Sequence, residues 1–232
     1  MARVVDVVRT FLAVLVLAVV AAAPLKADIA QDGTLCAGGI ESYERVIEAC
    51  TSVINDSSVA PRVKLAAYQR RAEAYAQGIG DFPRAIADAS EAIKLDPDES
   101  SGIFFRAQLY LAYNEFEKAI GDFSKVLKLK PEDNDALTGR AYAYVQIGDS
   151  DRAIADLGQV IRLKPDNATA YYDRGGAYEK KEDFERARAD YNSAIKLQRD
   201  YAGEFQESCF RTDEKGERAL ANWPACDAEE GE

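Results

Sequence analysis

Residues 137–165 read LTGRAYAYVQIGDSDRAIADLGQVIRLKP, and the spacing of their small, aromatic and proline residues recurs on both sides. Leu137, Arg140, Ala141, Tyr144, Gly148, Ala153, Leu157 and Pro165 have counterparts 34 residues earlier in Ile103, Arg106, Ala107, Tyr110, Asn114, Ala119, Phe123 and Pro131. The same shift forward reaches Tyr171, Arg174, Gly175, Tyr178, Glu182, Ala187, Tyr191 and Arg199. An earlier copy holds Tyr68, Arg71, Ala72, Tyr75, Ala85, Ala89 and Pro97, with one extra residue around Gly78-Ile79-Gly80. Each copy predicts two helices. In the first, an apolar or aromatic residue and a Tyr stand seven apart on one face; in the second, an Ala is followed four residues on by a second apolar side chain. Ala107, Ala141 and Gly175 let the two helices approach closely, and Pro97, Pro131 and Pro165, lacking the N–H that a helix interior needs, stop the second helix. One such hairpin cannot bury its apolar face alone. Stacked copies can, and stacking leaves a curved ribbon with a concave side.

This layout resembles the tetratricopeptide repeat, a helix-turn-helix unit of 34 residues. The resemblance covers roughly residues 65–199, with Arg71, Arg106, Arg140 and Arg174 in place of the usual Leu and Arg199 in place of a fourth Pro. It implies an all-α fold, a right-handed superhelical solenoid of helix-turn-helix repeats. The expected organisation is a signal peptide (1–27), a leader and half-repeat cap (28–62), four repeats within 63–199 (about 65–98, 100–133, 134–167 and 168–201), and a capping segment with an acidic tail (200–232).

The flanks follow from composition. Arg3 and Arg9 precede an apolar run from Phe11 to Pro24, and Ala27 offers a small residue for cleavage before Asp28. That run is shorter than the roughly 20 residues a spanning helix needs, so the segment reads as an export signal that meets the membrane only transiently. The style of the repeats is similar to that of bacterial members of the family, which points to the periplasm. Formal net charge is −11, and removing Arg3, Arg9, Lys26 and Asp6 with the signal takes it to −13. So acidic a chain argues against nucleic acid and against anionic membrane surfaces. From Ser42, SYERVIEACTSVIN copies a second helix, Tyr43 matching Phe82 and Phe116. The tail begins like a fifth first helix, with Phe205, Cys209 and Gly216 at the repeat positions, and Ala219-Leu220-Ala221 offers another helix start before Trp223-Pro224.

An even cysteine count beside an export signal favours disulfides, and position suggests Cys36 with Cys50 and Cys209 with Cys226, one staple at each end. The chain has no His, which removes Ser/His/Asp and Cys/His catalysis and His-based metal sites. No cofactor, metal or catalytic residue is expected, and the protein is read as a non-enzyme. Asp88, Asp122, Asp156 and Asp190 follow the four arginines by 16 or 17 residues, which would set them opposite one another as a ladder of ion pairs. The resemblance implies that the first helices line the concave face, one, five and eight residues after the leading aromatic. These positions hold Gln69, Glu73 and Ala76; Phe104, Gln108 and Leu111; Thr138, Tyr142 and Val145; and Tyr172, Gly176 and Glu179. Phe104, Tyr142 and Tyr172 suit an apolar or extended peptide, or else pack between hairpins. The expected function is an exported scaffold for a protein or peptide partner on that face. The alternative is an assembly subunit of a cell-envelope complex using its ends or convex face.

Overall fold

The computed structural model describes residues 35–36, 42–198, 210–212 and 218–220. Among these, nine helices follow one another: α1 (Tyr43–Asn55), α2 (Pro61–Glu73), α3 (Phe82–Leu95), α4 (Ser100–Ala112), α5 (Phe116–Leu129), α6 (Asn134–Gln146), α7 (Ser150–Leu163), α8 (Ala168–Glu179) and α9 (Phe184–Leu197). They form four stacked antiparallel hairpins, α2/α3 to α8/α9, with α1 packed on α2 as an unpaired second helix. This is the solenoid that the period predicts.

The turns explain the period. Asp81, Asp149 and Asp183 cap α3, α7 and α9, each accepting from the backbone N–H three residues on and from the guanidinium of that same residue, Arg84, Arg152 or Arg186. Glu115 opens α5 without a capping hydrogen bond and pairs only with Lys118 at 3.1 Å. One residue before each of these four positions the chain turns left-handed, at Gly80 (φ 72°), Asn114 (60°), Gly148 (82°) and Glu182 (60°). Glu182 alone is neither Gly nor Asn there, a strain of about 1 kcal/mol. The extra residue of the first copy is absorbed upstream as a π-helical turn over Ala74–Ile79, so Gly80 regains register. Gly78 in that turn meets α1: a Cβ there would lie 2.1 Å from Cγ of Tyr43.

The core is continuous through the middle of the array. Ala107, Ala119, Ala141 and Ala153 are fully buried and bring the helices together, and Phe123, Leu137, Leu157 and Val160 fill the space between. Side chains on successive hairpins are complementary in size at positions 16 apart. Ala89 shares a cluster with Phe105, whereas Phe123 lies against Gly139, where a Cβ would come within 2.5 Å of its ring. At the next junction the corresponding residues are Leu157 and Asp173.

The expected ladder is formed, and it binds more than the expected pairs. Arg71, Arg106, Arg140 and Arg174 each grip the aspartate of their own hairpin with Nε and Nη2 at 2.7–2.9 Å. The fork is bidentate, and the carboxylate hydrogen bond raises each guanidinium's pKa. Nη1 of the first three reaches the preceding second helix, donating to Thr51, Ser90 and Ser124 Oγ at 2.7, 3.0 and 3.1 Å. Each of these three rungs therefore ties three helices together. Tyr75, Tyr110, Tyr144 and Tyr178 lie between the rung arginine and a cation of the second helix, as Tyr144 does between Arg140 (5.9 Å) and Arg152 (4.5 Å).

The fourth rung lacks its third partner, because Gly158 occupies the site that Ser90 and Ser124 fill. A Cβ on Gly158 would lie 3.7 Å from Nη1 of Arg174, in ordinary contact. Gly158→Ser is expected to stabilise the protein by about 0.5–1.5 kcal/mol, through the missing hydrogen bond and better helix propensity. An unchanged urea midpoint at unchanged slope would show that the third contact contributes nothing.

At the amino end, Cys36 and Cys50 are joined by a disulfide within a small core of Val46, Ala49, Val53, Ile54 and Ala67. Closing that loop contributes about 3 kcal/mol in the chain-entropy picture. The pairing expected for Cys209 and Cys226, and the export signal over 1–27, lie outside the described residues. At the carboxyl end the sequence expectation needs correction. Phe210–Thr212 (β1) and Arg218–Leu220 (β2) pair antiparallel, with Phe210 opposite Leu220, and β2 lies against α9. Ala219 and Leu220 thus belong to a strand and begin no helix. In the sequence, Pro224, four residues on, would deny a helix its interior N–H.

Candidate docking groove

The first helices α2, α4, α6 and α8 carry the residues expected on the concave face, and the structure divides them. A depression of about 210 Å³ lies between α6 and α8. Thr138, Tyr142, Val145 and Gln146 form one wall, Tyr172, Asp173, Gly176 and Lys180 the other, and Ala141 and Leu157 the floor. Gly176 keeps the α8 wall low, and Tyr142 stands 48% exposed at the rim. Its ring forms a T-shaped pair with Phe116 at 6.5 Å, which holds it while half its surface stays exposed. Lys180 reaches back to the Val145 carbonyl at 3.5 Å and closes one end.

Two of the three expected aromatic anchors are committed elsewhere. Phe104 packs edge-on against Phe123, with ring centroids 5.6 Å apart, and belongs to the core. Tyr172 leans on Tyr191 at 5.3 Å while still lining the groove. Glu179 is engaged, accepting a hydrogen bond from the Tyr191 hydroxyl at 2.6 Å. Burial and that bond to Glu179 together raise the phenol's pKa. Gln69 and Glu73 sit apart, lining a second depression of about 260 Å³ with Cys36, Val53, Val63 and Arg70 at the amino end. Gln108 is exposed on α4. Thr138, Tyr142, Val145, Tyr172 and Gly176 are thus the expected residues that the structure brings together.

Asp173, Gln146 and Lys180 fall outside the three-position pattern. Asp173 is the unusual one: burial alone raises its pKa to about 6. No described side chain donates a hydrogen bond to its carboxylate. The signal in the sequence was a departure from the repeat, since the preceding copies hold Gly139, Phe105 and Arg70 at this position. Among the described residues no cluster of carboxylates or thiols is arranged to hold a metal ion.

Three overlapping matches to the family model described as "Tetratricopeptide repeat" span residues 75–134, 104–149 and 138–202. No curated protein matches the chain. Among solved structures, a MamA protein is similar at 22% identity and a TM-score of 0.61, covering 69% of this chain and 85% of its own. MamA from Desulfovibrio magneticus RS-1, residues 41 to the end, is similar at 18% identity and a TM-score of 0.63, covering 74% and 94%. YrrB, described as a TPR protein with an unusual peptide-binding site, is similar at 20% identity and a TM-score of 0.61, covering 69% and 80%.

Proposed function

The chain belongs to the tetratricopeptide repeat family, and from that premise we propose that it is an exported scaffold receiving an extended segment of another protein between α6 and α8. The observation that carries this reading is the groove itself, apolar at its floor and presenting the half-exposed ring of Tyr142 at its rim. Tyrosines so placed dominate interface energies, offering a large rigid surface with a polar tip. The family is generally one of non-catalytic interaction scaffolds, and one structural relative carries a peptide-binding site by description. The proposal includes a periplasmic address. The basic and apolar start of the chain supports export, and the Cys36–Cys50 bond suits an oxidising compartment.

The test is capture from an envelope extract on the disulfide-bonded protein beside a Tyr142→Ser variant shown by circular dichroism to melt normally. Because Tyr142 is half exposed, the change should leave the fold intact while weakening a groove-bound partner roughly tenfold or more. A protein held by the first and released by the second supports the groove. Identical retention on both moves the working surface to the convex face or the ends, as the assembly reading requires.

A further inference from the structure

Resting on the docking reading above, we infer that the segment received between α6 and α8 presents a basic side chain, lysine or arginine, to Asp173. Three observations converge on this residue. First, Asp173 stands at a position held by Arg70, Phe105 and Gly139 in the three earlier copies, where it is the one carboxylate, and it lines the groove beside Leu157. A carboxylate is a poor occupant of such a site unless something compensates it. Second, no described donor reaches it, although the buried aspartates of the array, Asp88, Asp122, Asp156 and Asp190, are each gripped by an arginine fork within their own hairpin. Third, the surroundings suit a cation with an apolar stem. Tyr142 and Tyr172 offer aromatic surface, and Ala141, Val145 and Leu157 offer a floor for methylenes.

Lys180, seven residues along α8 and so about 10 Å away, is held at the Val145 carbonyl and does not serve as this counter-ion. The chain's net charge of −11 adds a long-range attraction for basic partners. Keeping a partly buried carboxylate without a protein donor costs stability, a pattern that marks binding sites.

The experiment retains a randomised pool of nonapeptides on the immobilised full protein at pH 7.5, on Asp173→Asn, and on Tyr142→Ser, and sequences what is held. Lysine and arginine should be enriched about tenfold over the input on the wild type, and that enrichment should vanish on Asp173→Asn. It should also fade on the wild type as pH falls from 7.5 to 5, as the carboxyl takes up a proton. The titratable groups around it are Tyr142 from α6, Tyr172 and Lys180 from the α8 side, and Tyr191 from α9 with the Glu179 carboxylate bound to its hydroxyl; of the two carboxylates, Asp173 is the one that lines the groove.

The same variant should melt higher than the wild type at pH 7.5. The folded-state pKa is raised, so the charged carboxylate destabilises the fold above about pH 6, and the cost disappears as pH falls toward 4. A purely structural aspartate would show the reverse. Retention that depends on Tyr142 but shows no basic preference overturns the inference and leaves the docking reading standing. A basic preference that survives Asp173→Asn assigns the attraction to the general acidic surface and also overturns the inference. Equal retention on wild type and Tyr142→Ser overturns both.

Discussion

Asp122→Ala is expected to lower the free energy of unfolding by about 3–5 kcal/mol. Asp122 is 3% exposed and accepts two hydrogen bonds from Arg106, at 2.7 and 2.9 Å, and one from Lys125 at 2.9 Å. Truncation leaves a largely buried guanidinium beside Tyr110 with Ser90 as its remaining partner. The loss is dominated by that stranded charge, so Arg106→Ala on top of it should cost far less than Arg106→Ala alone. Urea unfolding of the four proteins in the cycle measures this directly, and additive losses would show that the fork and the aspartate do not stabilise each other. Arg106→Lys tests the geometry, since an ammonium cannot supply the planar fork and the third contact together.

The second large effect is expected from Phe123→Ala, again about 3–5 kcal/mol. Phe123 is 1% exposed, meets the edge of Phe104, and extends its ring to the place where Gly139 leaves no side chain. Removing the ring opens a cavity bounded by three helices, α4, α5 and α6, whose backbones the ladder holds in place. Gly139→Ala alone should cost about 1–3 kcal/mol, by pressing a methyl into the ring. In the Phe123→Ala background the same methyl has room and should be neutral or favourable. A calorimetric comparison in which the two losses simply add would refute the size complementarity at this junction.

The sequence carried the fold in its period because the residues that recur are those with no latitude. A fully buried Ala141 admits nothing larger, and the position after α6 demands a left-handed residue. The Arg–Asp spacing was legible for the same reason, since antiparallel helices bring residues 16 apart together. The third contact of each rung was also written in the chain, as Ser90 and Ser124 stand 34 apart, but hydroxyls on a helix surface have many roles and no unique geometry.

The groove was half legible. First-helix periodicity located Thr138, Tyr142, Val145, Tyr172 and Gly176, but it could not say that Phe104 would pack against the core, because that depends on the size of Phe123 on the facing helix of its own hairpin. Asp173 was hidden by a template of three positions per helix and visible only as a departure from the repeat. The strand pair at 210–212 and 218–220 had the weakest signal: three-residue strands carry too little alternation to compete with an apparent continuation of the helical pattern.

The absence of a hydroxyl at Gly158 has a mechanical meaning. An array of stacked hairpins bends as a series of joints, and each arginine fastened to three helices stiffens the joint it spans. Two of the three junctions between hairpins carry such a fastener, and the one between α7 and α8 does not. That joint also sets how far α8 stands from α6. Compliance is therefore placed where the gap between first helices must widen or narrow, and the rest of the spring stays rigid around it.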